Sequence, residues 1–190
     1  MEHGKKFFVH EKGLCESENV GAGTRIWAFT HILPGAKIGI ECNIGEQCFI
    51  ENDVEIGDFV TIKNGVSVWD GVRLENKVFV GPNAAFTNDK SPRSKAHDYK
   101  QLQIIVEEGA TIGANATLLA GIKIGKFAMI GAGSVVSKDV APYSLVFGNP
   151  SRQHGFVCEC SKKLIFQNET ASCSCGKAYF LEIEKCVPKI

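Results

Sequence analysis

A bulky apolar residue returns at every sixth position of this chain, and that period restricts what it can fold into more than any other feature. From Phe8 the register runs Leu14, Val20, Ile26, Ile32, Ile38, Ile44, Ile50, Ile56, Ile62, Val68, Leu74, Val80 and Phe86. It resumes at Val106 and continues through Ile112, Leu118, Ile124, Ile130 and Val136. A six-residue period matches neither the helical nor the two-residue strand repeat over a whole domain, so the unit must be a repeat with a geometry of its own.

A parallel β-helix of triangular section meets that requirement. Each hexad becomes one short strand plus a corner, and three hexads close a coil of about eighteen residues. The hexad residue points inward and stacks on its counterpart in the next coil. Residues that follow it, such as Gly39, Gly57, Gly113 and Gly131, suit tight corners where a side chain would crowd the neighbouring coil. The spacing therefore predicts an all-β chain in which residues 8 to about 140 form roughly seven coils, within a β-helix domain over 1–153 and a tail over 154–190.

At 190 residues with 44% hydrophobic content, the chain has one main core and room for a small appendage. Its net charge of zero gives no electrostatic case for nucleic acid or an anionic membrane surface. No apolar run approaches a membrane span, and Met1-Glu2-His3-Gly4-Lys5-Lys6 lacks a signal-peptide core, so a cytoplasmic protein with no membrane partner is expected. Cys15, Cys42 and Cys48, scattered among the coils, read as small buried side chains.

Two departures from the repeat carry the functional signal. Phe86 and Val106 stand twenty residues apart, where one coil takes about eighteen. The stretch from Thr87 to Ile105 holds Asn88, Asp89, Lys90, Pro92, Arg93, Lys95, His97, Asp98 and Tyr99. It reads as a loop that leaves the coil, and such loops are where solenoids build function. Counting along the repeat, Asn52, Asp70 and Asn88 each fall two places after an inward residue, which predicts a polar column on one corner ending where the loop departs beside Asp89.

The second departure is the end of the chain. Pro142 and the Gly148-Asn149-Pro150 turn are expected to stop the β pattern, and five cysteines crowd the tail beyond them. Cys158-Glu-Cys160 and Cys173-Ser-Cys175 form two sulfur pairs that could hold a structural zinc ion, although a zinc ribbon normally uses Cys-x-x-Cys pairs. Free thiols, or Cys186 standing in as a ligand, are the alternatives that the spacing leaves open.

The segments Arg25-Ile-Trp-Ala-Phe-Thr-His31, Asn64-Gly-Val-Ser-Val-Trp-Asp70, Phe79-Val-Gly-Pro-Asn-Ala-Ala-Phe-Thr-Asn88-Asp89-Lys-Ser-Pro-Arg93, Gly109-Ala-Thr-Ile-Gly-Ala-Asn115 and Phe147-Gly-Asn-Pro-Ser-Arg152 resemble the hexapeptide-repeat nucleotide-sugar 3-N-acetyltransferases. The resemblance runs from about residue 8 to 155, in order and with the loop in place. It implies left-handed winding, a homotrimer with clefts between subunits, and transfer of acetyl from acetyl-CoA to the 3-amino group of a UDP- or dTDP-linked sugar destined for polysaccharide or O-antigen. It further implies that Asp70, Asn88 and Asp89 hold the amino sugar, with Asn52 in the same column and no obligate protein base. The departing CoA sulfur would take the proton.

On that reading Asp70 and Asp89 hydrogen-bond the amine or a neighbouring hydroxyl, Asn88 orients it, and Arg93 meets the diphosphate. Ala114, Ala132 and Gly133 are small enough to let pantetheine approach the backbone, and Lys138 or Arg152 would meet the CoA phosphates. His31 is a candidate general base by residue type, or else a corner or subunit-contact histidine. Acyl transfer to a 4-amino sugar, a small amine or a hydroxyl remains open, as does a non-catalytic structural β-helix. The histidines are too dispersed for a three-histidine zinc enzyme on this scaffold.

Overall fold

The computed structural model describes residues 7–95, 100–182 and 185–189, without the side chain of Lys185. Among these residues there is no helix, and so none long and apolar enough to cross a membrane. Strands of mostly two residues wind into a parallel β-helix with three faces. The first face stacks eight parallel strands, from Phe8–Val9 to Ser144–Gly148. The second stacks seven, from Leu14–Cys15 to Val135–Val136, and the third stacks five, from Lys37–Ile38 to Lys123–Ile124.

The hexad residues fill the interior. Ile44 lies between Ile26 and Ile62, and Leu118 between Phe86 and Val136, each in register with its neighbours and removed from solvent. Burying each such side chain contributes on the order of 2 kcal/mol. A second inward column lies two residues earlier in each hexad and is built of small residues: Thr30, Cys48, Val66, Ala84, Ala116 and Ser134 on one corner. The Thr30 hydroxyl donates to the Gly45 carbonyl at 2.5 Å and accepts from the Cys48 amide at 3.1 Å, so the buried oxygen is satisfied. Cys42 and Cys48 belong to these small columns, and burial raises both thiols above their ordinary pKa.

The winding differs from the sequence reading in three places. Phe8 and Leu14 are 46% and 53% exposed; Val9 and Cys15 instead pair with Ile26 and Ile32, so the first coil is one residue short and the register slips between Cys15 and Val20. The loop is larger than a two-residue surplus. Leu74 pairs with Val106, so this coil inserts fourteen residues between faces that are otherwise six residues apart. Finally, the coil does not stop at Val136. Val140 bridges to Ile124 and Val146 pairs with Ile130, both across sixteen residues, so Pro142 sits on a shortened last coil rather than ending the winding.

Beyond that coil, Ser144–Gly148 turns through a cis Asn149–Pro150 bond into Ser151–Val157, which runs antiparallel to it and pairs in turn with Lys163–Leu164. A separate three-stranded antiparallel sheet comes last, made of Thr170–Ser172, Ala178–Glu182 and Lys185–Pro188. A second apolar cluster, including Tyr143, Phe156, Leu164 and Tyr179, packs this end of the molecule.

Candidate active site

The repeat places five of the residues that matter on one corner. Asn52, Asp70, Asn88, Ala120 and Lys138 each stand two residues after an inward residue of the second face, and those strands are in register throughout. Four inter-coil steps of about 4.8 Å carry this edge about 19 Å from Asn52 to Lys138. Sugar-side and phosphate-side candidates therefore share one edge, with the buried Ala120 between them.

Within that column the side chains do different things. Asn52 Oδ1 accepts the Gly35 amide at 3.0 Å, and Asp70 Oδ1 accepts the Asp53 amide at 2.6 Å, so each holds the corner of the preceding coil. Asp58, Asn64 and Asn76 hold other corners in the same way. The Asp70 amide in turn donates to Glu51 Oε2 at 2.7 Å, while Asp70 Oδ2 meets no partner among the described residues. Asn88 is half-buried, and its side-chain amide meets no hydrogen-bond partner among the described residues. Its carbonyl accepts the Leu102 amide at 3.0 Å, which pinches the base of the loop shut. Asp89 Oδ1 caps the Ser91 amide at 2.8 Å, so the loop leaves the coil through a side-chain-stabilised turn.

The return of the loop is anchored by residues that the spacing did not single out. Gln101 Nε2 donates to Asp53 Oδ2 at 3.2 Å, and Arg73 donates to the Asp53 carbonyl at 2.6 Å and to Oδ1 at 2.5 Å. Glu51, Asp53, Arg73 and Gln101 thus brace the corner from Asp70 to the loop. Their signal in the sequence was weak, because polar and charged residues are the default at every solvated position of this repeat and its loop. Arg93 is exposed on the loop and donates to the Pro92 carbonyl. His97, Asp98 and Tyr99 lie outside the described residues.

At the far end of the edge, Lys138 and Arg152 line one groove of about 370 Å³ with Ser137, Asp139 and Gln153. Arg152 arrives there on the antiparallel strand Ser151–Val157, steadied by stacking of Phe147 on His154 at 3.6 Å between centroids. Ala114, Ala132 and Gly133 lie elsewhere. They occupy the corner that precedes the second face, whereas Lys138 occupies the corner that follows it, so one chain does not gather them into a single groove. His31 projects from the second face three strands away from Ala85, in the order His31, Phe49, Ser67, Ala85. Its Nε2 contacts Glu16 Oε1 at 2.6 Å and its ring meets Phe49 edge-on. Within one chain it is therefore well separated from Asn88 and Asp89.

Comparison with known proteins agrees with the winding. Residues 103–138 match the family described as bacterial transferase hexapeptide (six repeats), and residues 35–70 match the hexapeptide repeat of succinyl-transferase. The dTDP-3-amino-3,6-dideoxy-alpha-D-galactopyranose 3-N-acetyltransferase of Aneurinibacillus thermoaerophilus is 54% identical over 172 residues, covering 90% of each chain. Among solved structures, a hexapeptide-repeat acetyltransferase from Vibrio cholerae in complex with acetyl coenzyme A superposes with a TM-score of 0.59 at 27% identity, over 64% of this chain and 70% of that one. A Bacillus cereus protein described as an acetyltransferase shares the fold, with a TM-score of 0.51 at 21% identity over 80% and 78% of the two chains. With half its residues shared across nine-tenths of both lengths, and with the repeat and the loop in place, the chain belongs to the hexapeptide-repeat nucleotide-sugar 3-N-acetyltransferases.

Proposed function

We propose that the chain transfers the acetyl group of acetyl-CoA to the 3-amino group of a dTDP-linked 3-amino-3,6-dideoxyhexose. The observation that carries this reading is the 54% identity, over nine-tenths of both chains, to an enzyme named for that class of substrate. The neutral amine attacks the thioester carbonyl, the tetrahedral intermediate collapses with loss of the CoA thiolate, and the proton shed by nitrogen passes to that sulfur. An amino group on a sugar ring bearing electron-withdrawing oxygens has a pKa nearer the α-amino value of about 8 than that of lysine, so alignment can supply much of the rate without a strong base. Asp70 Oδ2 and the side-chain amide of Asn88, neither with a partner among the described residues, are the groups suited to hold the amine and an adjacent hydroxyl. Asp89 and Asn52 extend that edge, and Arg93 lies on the loop for the diphosphate. Lys138 and Arg152, two coil steps from Asn88, suit the CoA phosphates.

The working molecule in this proposal is a homotrimer. Outward positions on the third face are charged at Lys37, Glu55, Arg73 and Lys123 and apolar at Ile105, with Lys37 and Glu55 paired at 2.9 Å. Outward positions on the first and second faces include Phe79, Thr111 and Met129, and Phe49, Ala85, Thr117 and Val135. Among the paired outward positions of these two faces only Arg25 and His31 carry an ionisable side chain, and two weakly charged faces beside one charged face suit three-fold packing. A groove between copies would also set Ala114, Ala132 and Gly133 of one copy opposite Lys138 and Arg152 of the next, which one chain alone cannot do.

Release of free thiol from acetyl-CoA tests the reaction, with dTDP-3-amino-3,6-dideoxygalactose, its gluco epimer and UDP-2-acetamido-3-amino-2,3-dideoxyglucuronate as acceptors. Turnover with a dTDP sugar is expected. Turnover only with the UDP uronate overturns the nucleotide assignment, and turnover only with 4-amino sugars overturns the position of acetylation. Light scattering of the eluted protein should give the mass of three chains, and a monomer would refute the composite groove.

A further inference from the structure

The cysteines beyond the β-helix are arranged with more order than their spacing suggested. Cys158, Cys160, Cys173 and Cys175 bring four sulfur atoms within 4.8 Å of one another. Two of the separations are 3.4 Å, between Cys158 and Cys175, and 3.5 Å, between Cys160 and Cys173. A tetrahedral zinc ion with Zn–S bonds of about 2.3 Å requires sulfur–sulfur edges of about 3.8 Å, inside that range. No pair lies at the bonded distance of about 2.05 Å that a disulfide demands.

The two Cys-x-Cys segments also share a backbone construction. In the first, the Ser161 amide donates to the Cys158 carbonyl at 2.8 Å and the Cys158 amide to the Lys162 carbonyl at 2.8 Å. In the second, the Gly176 amide donates to the Cys173 carbonyl at 2.9 Å and the Cys173 amide to the Lys177 carbonyl at 2.8 Å. The residue after the second cysteine takes positive φ in both, at 67° for Ser161 and 93° for Gly176. These are two copies of one tight turn that presents its two sulfurs to a common point. The shortened spacing is thus a turn geometry of its own and not a Cys-x-x-Cys pair with a residue lost.

The surroundings fit a thiolate cluster. The hydroxyl of buried Tyr179 donates to Cys158 Sγ at 3.1 Å and accepts the Glu159 amide at 3.1 Å, orienting one ligand from behind. Lysines link the two turns: Lys162 Nζ donates to Ser174 Oγ at 2.8 Å, and Lys177 pairs with Glu159. They bring positive charge beside a group that would carry excess negative charge with four thiolates bound. Cys186, buried in the neighbouring apolar cluster, is not among the four converging sulfurs.

We propose that Cys158, Cys160, Cys173 and Cys175 bind one zinc ion in a closed four-thiolate site that fastens the terminal three-stranded sheet to the end of the β-helix. One pair follows the strand Ser151–Val157, which belongs to the first face, and the other lies between Thr170–Ser172 and Ala178–Glu182 of the terminal sheet. The ion therefore ties two sheets that share no strand. With all four positions taken by protein sulfur no site remains for substrate, so its role is structural and does not depend on the reaction proposed above. Binding displaces the thiol protons to solvent.

The full chain, purified without chelator and dialysed against metal-free buffer, should carry about one zinc per chain by elemental mass spectrometry. Cys160→Ser and Cys175→Ser remove exposed ligands while leaving the packing around Tyr179 in place, and each should lose the metal; Cys15→Ser, at the other end of the molecule, should keep it. Replacement by cobalt in the wild-type protein should give the intense visible bands and thiolate-to-cobalt charge transfer of a tetrahedral sulfur site, a readout that needs no variant to fold. Metal-free protein as isolated, with all four thiols alkylating at once or paired as two disulfides and no cobalt spectrum on titration, would overturn the proposal. A protein holding iron in place of zinc overturns the choice of metal.

Discussion

Gly113 and Gly133 sit on consecutive coils of the same corner, yet replacing each with alanine should have different consequences. A Cβ at Gly113 would lie 2.5 Å from the Ala132 nitrogen and 2.7 Å from both the Gly131 carbonyl carbon and the Ile130 oxygen. All three are backbone atoms of the next coil, so no side chain can swing aside. Restoring ordinary contact at 3.4 Å requires a shift of 0.9 Å, which would stretch the Gly113 amide to Ile130 carbonyl bond from 2.8 Å beyond hydrogen-bonding range. The neighbouring Thr111 to Ala128 bond, also 2.8 Å, would be strained with it. Two ladder bonds at about 1 kcal/mol each, with about 1 kcal/mol of lost contact between Ile112 and Ile130, outweigh a gain of about 0.5 kcal/mol from a less flexible unfolded chain. The net cost is about 2 to 3 kcal/mol. At Gly133 a Cβ meets nothing within 4 Å, and only the φ of 69° resists it, at about 1 kcal/mol. Asn83 and Asn115 occupy the same left-handed column at φ of 55°, so Gly133→Asn should cost less still. Urea unfolding at fixed protein concentration reads the difference as a shift of midpoint at constant slope. Equal losses for Gly113→Ala and Gly133→Ala would refute backbone contact between coils as the reason for glycine at the first position.

Asp70→Asn keeps an oxygen for the Asp53 amide but removes the charge, so the unfolding midpoint should stay put while kcat/KM falls at least tenfold; Asp70→Ala should lose about a further 1 kcal/mol of stability. Activity within a factor of two for Asp70→Asn would remove this residue from the site. Arg152→Ala and Lys138→Ala should each raise KM for acetyl-CoA by about tenfold, corresponding to about 1.4 kcal/mol, with KM for the sugar unchanged. A rise in the sugar KM alone would reassign the groove. His31→Gln should leave kcat/KM within a few-fold of wild type, against the hundredfold or greater loss expected on removing a general base. A loss of a hundredfold or more would show instead that His31 reaches the reacting amine from a neighbouring copy.

The winding was legible because one residue in six has no freedom: Ile44, Ile62 or Leu118 must be large and apolar to fill the axis, whatever surrounds it. The ends were not, for the same reason. At Phe8 and Leu14 the apolar pattern continues, but these side chains lie on the outside, and Val9 and Cys15 turn inward once the chain slips by one residue. A six-residue count reports spacing and is blind to which of two adjacent apolar residues is inside. The small column of Thr30, Cys48, Val66, Ala84, Ala116 and Ser134 was also present in the sequence, two places before each large residue, and it would have exposed the slip. Around Pro142 the limit was different. The Val140 amide donates to the Lys123 carbonyl and the Val146 carbonyl accepts the Gly131 amide, so the ladder continues on either side of a shortened corner. A proline that reads as a terminator is accommodated there beside Gly125, at a position the ladder does not need.

The site was half legible, and the missing half follows from what a solenoid corner is. Counting by eighteen placed Asn52, Asp70 and Asn88 on one edge, and the structure puts Lys138 on the same edge once the fourteen inserted residues are discounted. But Asp58, Asn64 and Asn76 stand at comparable corners and hold the coil below by the same side-chain to amide bond. Residue type and position therefore cannot separate a corner clamp from a ligand contact. Asp58 also clamps with one oxygen and leaves the other without a partner among the described residues, so what sets Asp70 apart is its place: Glu51 holds its amide, and Arg73 and Gln101 fix Asp53 and the returning loop beside it. The structural bond and the functional group reside in the same carboxylate. That is why isosteric replacement, which spares the clamp, is the substitution that can expose its role in the reaction.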